Sequence, residues 1–157
     1  FFADSAVSCR PGWYNIDNKC FFISIYPFGR WMRARYHCQR LGGRLAITND
    51  NATIARLGYI LQNINDVAFW PIYVGASAVE DRRWMWVDNT FVSTNVWTGT
   101  QSIENTCGVL EKMVYSNSTW KSMVWHLNQR ACTIVLSFQI GSVCEKPACK
   151  CSAFMYR

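Results

Sequence analysis

The chain has 157 residues, half of them hydrophobic and 17% charged, with a net charge of +6 and eight cysteines. That length is one domain's worth and can bury a core of its own, and so apolar a composition excludes a disordered chain. No apolar run approaches the ~20 residues of a membrane-spanning helix, so no membrane span is expected.

The first predicted element is a hairpin over CRPGWYNIDNKCFFIS. Pro11 and Gly12 punctuate it, Asp17-Asn18 is a turn signal, and Cys9 and Cys20 flank that turn. In the following segment Trp31, Ala34, Cys38 and Leu41 step by three, four and three residues, which is helical periodicity. Gly42-Gly43 ends this helix, because the left-handed residue after a helix favours glycine. Leu45-Ala46-Ile47 reads as a short strand. A second helix is predicted from about Asp50 to Gln62, capped by Thr48 or Asn49, with Ile54, Leu57 and Leu61 facing inward. Gly58 weakens that reading.

The rest reads as strands and loops. PIYVGASA is a strand, and RRWMWVDNTF is another, with Trp84, Trp86 and Asp88 alternating. Residues 89–106 are rich in Thr, Ser and Asn and read as loop. CGVLEKMVYS, STWKSMVW and ACTIVLSFQIGSVCEK are further strands, and PACKCSAFMYR is a tail. Helices segregated from strands make an α+β pattern.

The cysteines stand at 9, 20, 38, 107, 132, 144, 149 and 151. Their number is even, their spacings are long and uneven, and no C-x-x-C repeat meets a His pair, so a disulfide frame is expected and a zinc frame is not. Disulfides place the chain in an oxidising, extracellular compartment. Two N-x-S/T sequons, at Asn51 and Asn117, fit a secreted glycoprotein. The first residues, FFADSAVSC, are no signal peptide, so in a secreted protein that peptide has been removed or left out. Arg30, Arg33, Arg35, Arg40 and Arg44 fall within fifteen residues that hold no acid, and Lys146, Lys150 and Arg157 mark a basic tail. Such faces attract polyanions, although the plain reading is a solvated helix face. The extracellular setting argues against nucleic acid.

Taken in order, these residues resemble the C-type lectin-like domain. The resemblance begins with C-x-P-G-W at 9–13. It continues with W-x-x-A-x-x-x-C-x-x-x-G-G-x-L-A on Trp31, Ala34, Cys38, Gly42, Gly43, Leu45 and Ala46. Tyr73-Val74-Gly75-Ala76 stands where the family has its W-I-G-L core. Trp84, Trp86 and Asp88 then match W-x-W-x-D, and Cys107, Cys132 and C-E-K at 144–146 follow. The resemblance implies an α+β fold of two helices with small antiparallel sheets and a long loop region. The domain would cover 9–146, with a lead at 1–8 and a basic, cysteine-containing tail at 147–157. It also implies the bridges Cys9–Cys20, Cys38–Cys144 and Cys107–Cys132. The second closes a loop of about a hundred residues, worth ~4–5 kcal/mol on the chain-entropy model, and brings the termini together.

Sugar-binding members of this family hold calcium in the long loop. Their ligands come from an E-P-N or Q-P-D triplet, a nearby acid, and an N-D pair after a Trp. Here residues 97–107 contain no proline, and Thr100-Gln101-Ser102 stands at the triplet. Trp120 is followed by Lys121-Ser122, and Trp125 by His126-Leu127. Glu104 and Asn105 are too few for an ion that takes six to eight oxygens, and Lys121 would repel a cation. The expectation is therefore a recognition module without metal or cofactor, whose ligand is an extracellular protein or a cell-surface group. The loop offers Trp97, Gln101, Glu104 and Asn105 as contacts, although Trp97 reads rather as core. The alternative is a calcium-independent lectin for sulfated or sialylated glycans, using a basic surface of the Arg-rich helix, with Arg33 and Arg40, and the tail; Lys121 is a further candidate contact.

Nothing points to an enzyme. His37 and His126 are the only histidines, and neither G-x-S-x-G nor H-E-x-x-H occurs. Cys149 and Cys151 lie outside the implied pairing. They bond each other, bridge to another chain as a covalent dimer, or pair with cysteines of a longer chain.

Overall fold

The computed structural model describes residues 7–64, 71–79, 82–97, 101–116, 121–133 and 140–150. The chain opens with β1 (Val7–Ser8), β2 (Tyr14–Ile16) and β3 (Lys19–Ser24). Asp17 and Asn18 turn between β2 and β3 with φ of 49° and 63°. A two-residue hairpin loop needs two left-handed residues, and Asp and Asn tolerate that region.

Helix α1 (Trp31–Arg40) follows and buries Trp31, Ala34 and Cys38. No side chain caps its start; the Trp31 amide instead donates to the Cys132 carbonyl at 2.8 Å. Gly42, at φ 80°, ends it, and β4 (Arg44–Leu45) begins two residues on.

Helix α2 (Asn51–Gln62) buries Ile54, Leu57 and Leu61 as expected, but its cap is Asp50 rather than Thr48 or Asn49. Asp50 accepts from the Thr53 amide and hydroxyl, both at 2.7 Å. Thr48 is buried, and the Asn49 side-chain oxygen Oδ1 is taken by the Ser93 amide at 2.7 Å. Gly58 has a packing reason: a Cβ there would stand 2.3 Å from the Trp125 ring.

The remaining elements are β5 (Ile72–Ser77), β6 (Met85–Trp86), a 3-10 turn (Thr94–Val96), β7 (Thr106–Ser116), β8 (Lys121–Ala131), β9 (Gly141–Pro147) and β10 (Cys149–Lys150). The main sheet runs β2-β3-β9-β5-β7-β8, with β4 on β9 and β6 on β5. Its antiparallel parts are joined through one parallel pair, β5 with β9. The strand expected over RRWMWVDNTF is only two residues long. Its alternation belongs to a tight turn, in which Trp86 bonds to Thr90 and Asn89 takes φ 66°. Trp86 is buried, while Asp88 sits outside and accepts from the Thr90 amide and hydroxyl.

The sheet buries both faces. On one, Ile54, Leu57 and Leu61 pack with Val74, Leu110, Trp125 and Leu127. On the other, Trp31, Ala34 and Cys38 pack with Tyr73, Val109 and Ile140. The three implied disulfides form, with Cα separations of 5.6, 5.2 and 5.0 Å. β1 and β10 pair Val7 with Lys150 and Ser8 with Cys149, so the two ends of the described chain meet. Cys149 carries an exposed free thiol. Cys151, Asn117 and Trp120 lie outside the described residues. Among the described residues no helix is long and apolar enough to cross a membrane.

Candidate functional site

The long loop is anchored from beneath by its aromatic residues. Trp97 is half-buried, packs on the core and meets Trp84 edge-on, with ring centroids 4.6 Å apart. The Trp84 indole N–H donates to the Ser102 carbonyl at 3.0 Å. Ser102 is the knot of the described loop. Its carbonyl also takes the Thr106 hydroxyl at 2.7 Å, and its hydroxyl takes the Glu104 amide at 3.3 Å. Its amide donates to the Gln129 side-chain oxygen at 2.6 Å. Asn105 turns the chain at φ 47° and offers its carbonyl to the Cys132 amide at 3.1 Å. Gln101 is half-buried, and Glu104 and Asn105 are exposed at the rim.

Two residues of β8 reach this loop: Leu127 bridges to Trp97 at its start, and Gln129 takes the Ser102 amide. Trp125 shares their strand face, further from the loop, and is buried in the core against Gly58. The signal that could have located Gln129 is the Cys107–Cys132 bridge. It sets β7 against β8 with Gly108 opposite Gln129 and Val109 opposite Asn128.

Residues 126, 128 and 130 of β8 share a strand face and converge on Glu111 of β7. Arg130 pairs with one carboxylate oxygen at 2.6 Å, the Asn128 amide donates to the other, and His126 Nε2 stands 3.9 Å away. His126 is buried, and burial lowers its pKa against the upward pull of the Glu111 carboxylate. Lys121 starts β8 opposite Ser116, at the end of the strand remote from the loop.

The described loop offers a calcium ion few ligands. Its one carboxylate is Glu104, Gln129 stands in the facing strand as a neutral amide already engaged by Ser102, and Glu111 is neutralised by Arg130. Hard cations need several anionic oxygens at once. Among the described residues no three His, Cys, Asp or Glu side chains come together as a metal site.

Arg33 and Arg40 lie elsewhere, on the exposed side of α1. With Tyr36 and His37 they follow the i, i+3, i+4, i+7 spacing of one helical stripe. Together with Tyr26, Pro27, Phe28 and Gly29 they line a depression of about 340 Å³. The structure thus separates the candidate contacts into a loop group, Trp97, Gln101, Glu104 and Asn105, and a helix group, Arg33 and Arg40.

A disulfide-stapled α+β domain with a long polar loop before its last hairpin defines the C-type lectin-like class. The Lectin C-type domain model matches residues 29–146, and the chain belongs to that family. Ladderlectin of Oncorhynchus mykiss is 27% identical over 95 residues, covering 60% of this chain and 50% of its own length. The chain thus spans half of that relative. Among solved structures, an SPL-1 complex with GlcNAc superposes with a TM-score of 0.68 at 18% identity, covering 92% of this chain and 96% of that one. A calcium-independent type II antifreeze protein superposes at 0.64 and 20% identity, covering 92% and 98%. At such identities the structural likeness shows the fold.

Proposed function

We propose that the chain is a secreted recognition domain that binds an extracellular protein or cell-surface ligand without calcium and without catalysing a reaction. The observation that carries this reading is the loop, where a backbone knot on Ser102 occupies Gln129 and one carboxylate, Glu104, remains for a cation. That a calcium-independent antifreeze protein shares the fold supports it. Thermal unfolding of the protein with millimolar calcium and with EDTA tests it. The expected midpoints coincide; a rise of several degrees with calcium, reversed by EDTA, overturns the reading.

In this reading the domain occupies 9–146, the lead 1–8 pairs with the tail 147–157 through β1 and β10, and glycans sit on Asn51 and Asn117. Asn51 is exposed in the first turn of α2. A secreted product whose mass does not change on deglycosylation removes the glycan part. Cys149 or Cys151 joins two chains, supported by the exposed thiol of Cys149 on the edge strand β10. A monomer band on electrophoresis both with and without reductant sinks that part.

A second reading, a lectin for acidic glycans acting through a basic surface, is favoured by the grouping of Arg33 and Arg40 with aromatic side chains in one depression. A glycan array read with EDTA and graded salt tests it: retained binding to acidic glycans that falls with salt supports it, and silence removes it.

A further inference from the structure

From the geometry of the α1 depression we infer a binding site for one anionic sugar residue, clamped by Arg33 and Arg40 and stacked on Tyr26 or Tyr36. The inference rests on the acidic-glycan reading and names its site, which lies on α1 and the 26–29 segment and not on the long loop.

Charge is the first argument. Several other basic side chains of the domain already have partners. Arg35 lies over the Trp31 ring at 5.6 Å, Arg44 pairs with Glu145 at 3.7 Å, Lys19 with Glu145 at 3.3 Å, and Arg56 with Asp17 at 2.6 Å. Lys146 stands 3.9 Å over the Trp13 ring. Arg33 and Arg40 have no ion-pair partner among the described residues, and none of the eight residues that line the depression is acidic. Two unpaired guanidinium groups with no competing carboxylate favour an anion. Their planar forks match a sulfate or carboxylate bidentately.

Shape and chemistry are the second. Arg33 and Arg40 are two helical turns apart, about 10 Å along the axis, so they bracket a ligand rather than merge into one charge. Tyr26 and Tyr36 are 69% and 58% exposed, while Phe28 is 9% exposed and forms the floor. Exposed tyrosines facing one depression offer flat apolar faces with polar tips, which suit a sugar ring. The volume lies at the lower end of the ~300–1,000 Å³ range of small-ligand sites.

Rigidity is the third. The Phe28 amide donates to the Ile140 carbonyl at 2.8 Å, which ties the wall to the sheet. Phe28 also packs on the His37 ring at 5.1 Å and on Tyr26 at 5.7 Å. The His37 Nε2 atom is buried without a hydrogen-bond partner. The wall and floor are thus held before any ligand arrives, which lowers the ordering cost of binding.

The experiment titrates the whole chain with a sulfated glycosaminoglycan hexasaccharide, with sialyllactose, and with inorganic sulfate. Binding is measured by calorimetry and by the NMR signal of the His37 ring. The expected result is that at least one saccharide binds, shifts that signal, and outcompetes inorganic sulfate. The two saccharide arms tell sulfate from carboxylate recognition. The R33Q/R40Q variant should lose roughly tenfold or more, the worth of one charge-assisted hydrogen bond. R10A/R83A, which removes the same charge elsewhere, should keep its affinity, and Tyr36→Ala should weaken binding without changing its salt dependence. Equal losses in the two arginine pairs, or binding that leaves the His37 signal unmoved, overturns the site while the acidic-glycan reading stands on another surface. No binding of either saccharide to the wild-type chain overturns both.

Discussion

At the scale of single residues, the buried polar groups carry the sharpest consequences. Glu145 is buried, yet it holds Lys19 and Arg44 at the surface and accepts the Ile47 amide. It thereby joins β3, β4 and β9 through one side chain, and the C-E-K motif is legible as structure rather than as a site. His126 is the opposite case, a buried imidazole whose pKa is lowered from its ordinary 6.5, chiefly by desolvation. The unfolded chain then binds a proton that the folded chain resists, so stability falls as pH drops below about 6.5 and is unaffected by this residue above it. Urea unfolding at about pH 7.5 and about pH 5.5 should show a lower midpoint at the acidic value, and His126→Asn should reduce the difference. His37, also lowered by burial and by Arg40, contributes in the same direction.

At the scale of elements, the helices are legible almost whole from periodicity, because a stripe of apolar residues at helical spacing is written into adjacent sequence. The place of Gly58 inside α2 is not legible in that stripe. Propensity alone says that Gly58→Ala gains up to ~1 kcal/mol. The packing says the reverse, since the added methyl meets the Trp125 ring at 2.3 Å and overpacking costs ~1–3 kcal/mol. We expect Gly58→Ala to lower stability, measured as the urea midpoint; a more stable variant would show that β8 yields easily at Trp125. The short strand at Met85–Trp86 misled the alternation rule for a related reason. The alternation stops at the turn, where the Trp86 amide bonds to the Thr90 carbonyl and Asp88 is left outside, and no local pattern marks that turn.

At the scale of the whole molecule, long-range staples do what local propensity cannot. Cys38 and Cys144 are 106 residues apart and join α1 to β9. Replacing both with Ala should cost ~4–5 kcal/mol of stability on the chain-entropy model. The measured quantity is the free energy of unfolding, and a loss below ~1 kcal/mol would mean that the unfolded chain is already compact there. The same closure lets β1 meet β10, so that lead and tail meet as a second small sheet.

By itself the sequence determined the fold family, the two helices, the hairpin turn at Asp17-Asn18 and, through the family's pattern, three cysteine pairs. Each of these depends on residues whose spacing along the chain is the signal. Only the tertiary structure decided the site. It showed that Gln129 faces the loop, that Ser102 is the loop's knot, that Glu111 is held by Arg130, and that Arg33 and Arg40 share a groove with Tyr26 and Phe28. Those neighbours come from different elements, and strand register and helix docking bring them together. No run of adjacent residues records a meeting of side chains that are brought together only when the sheet closes.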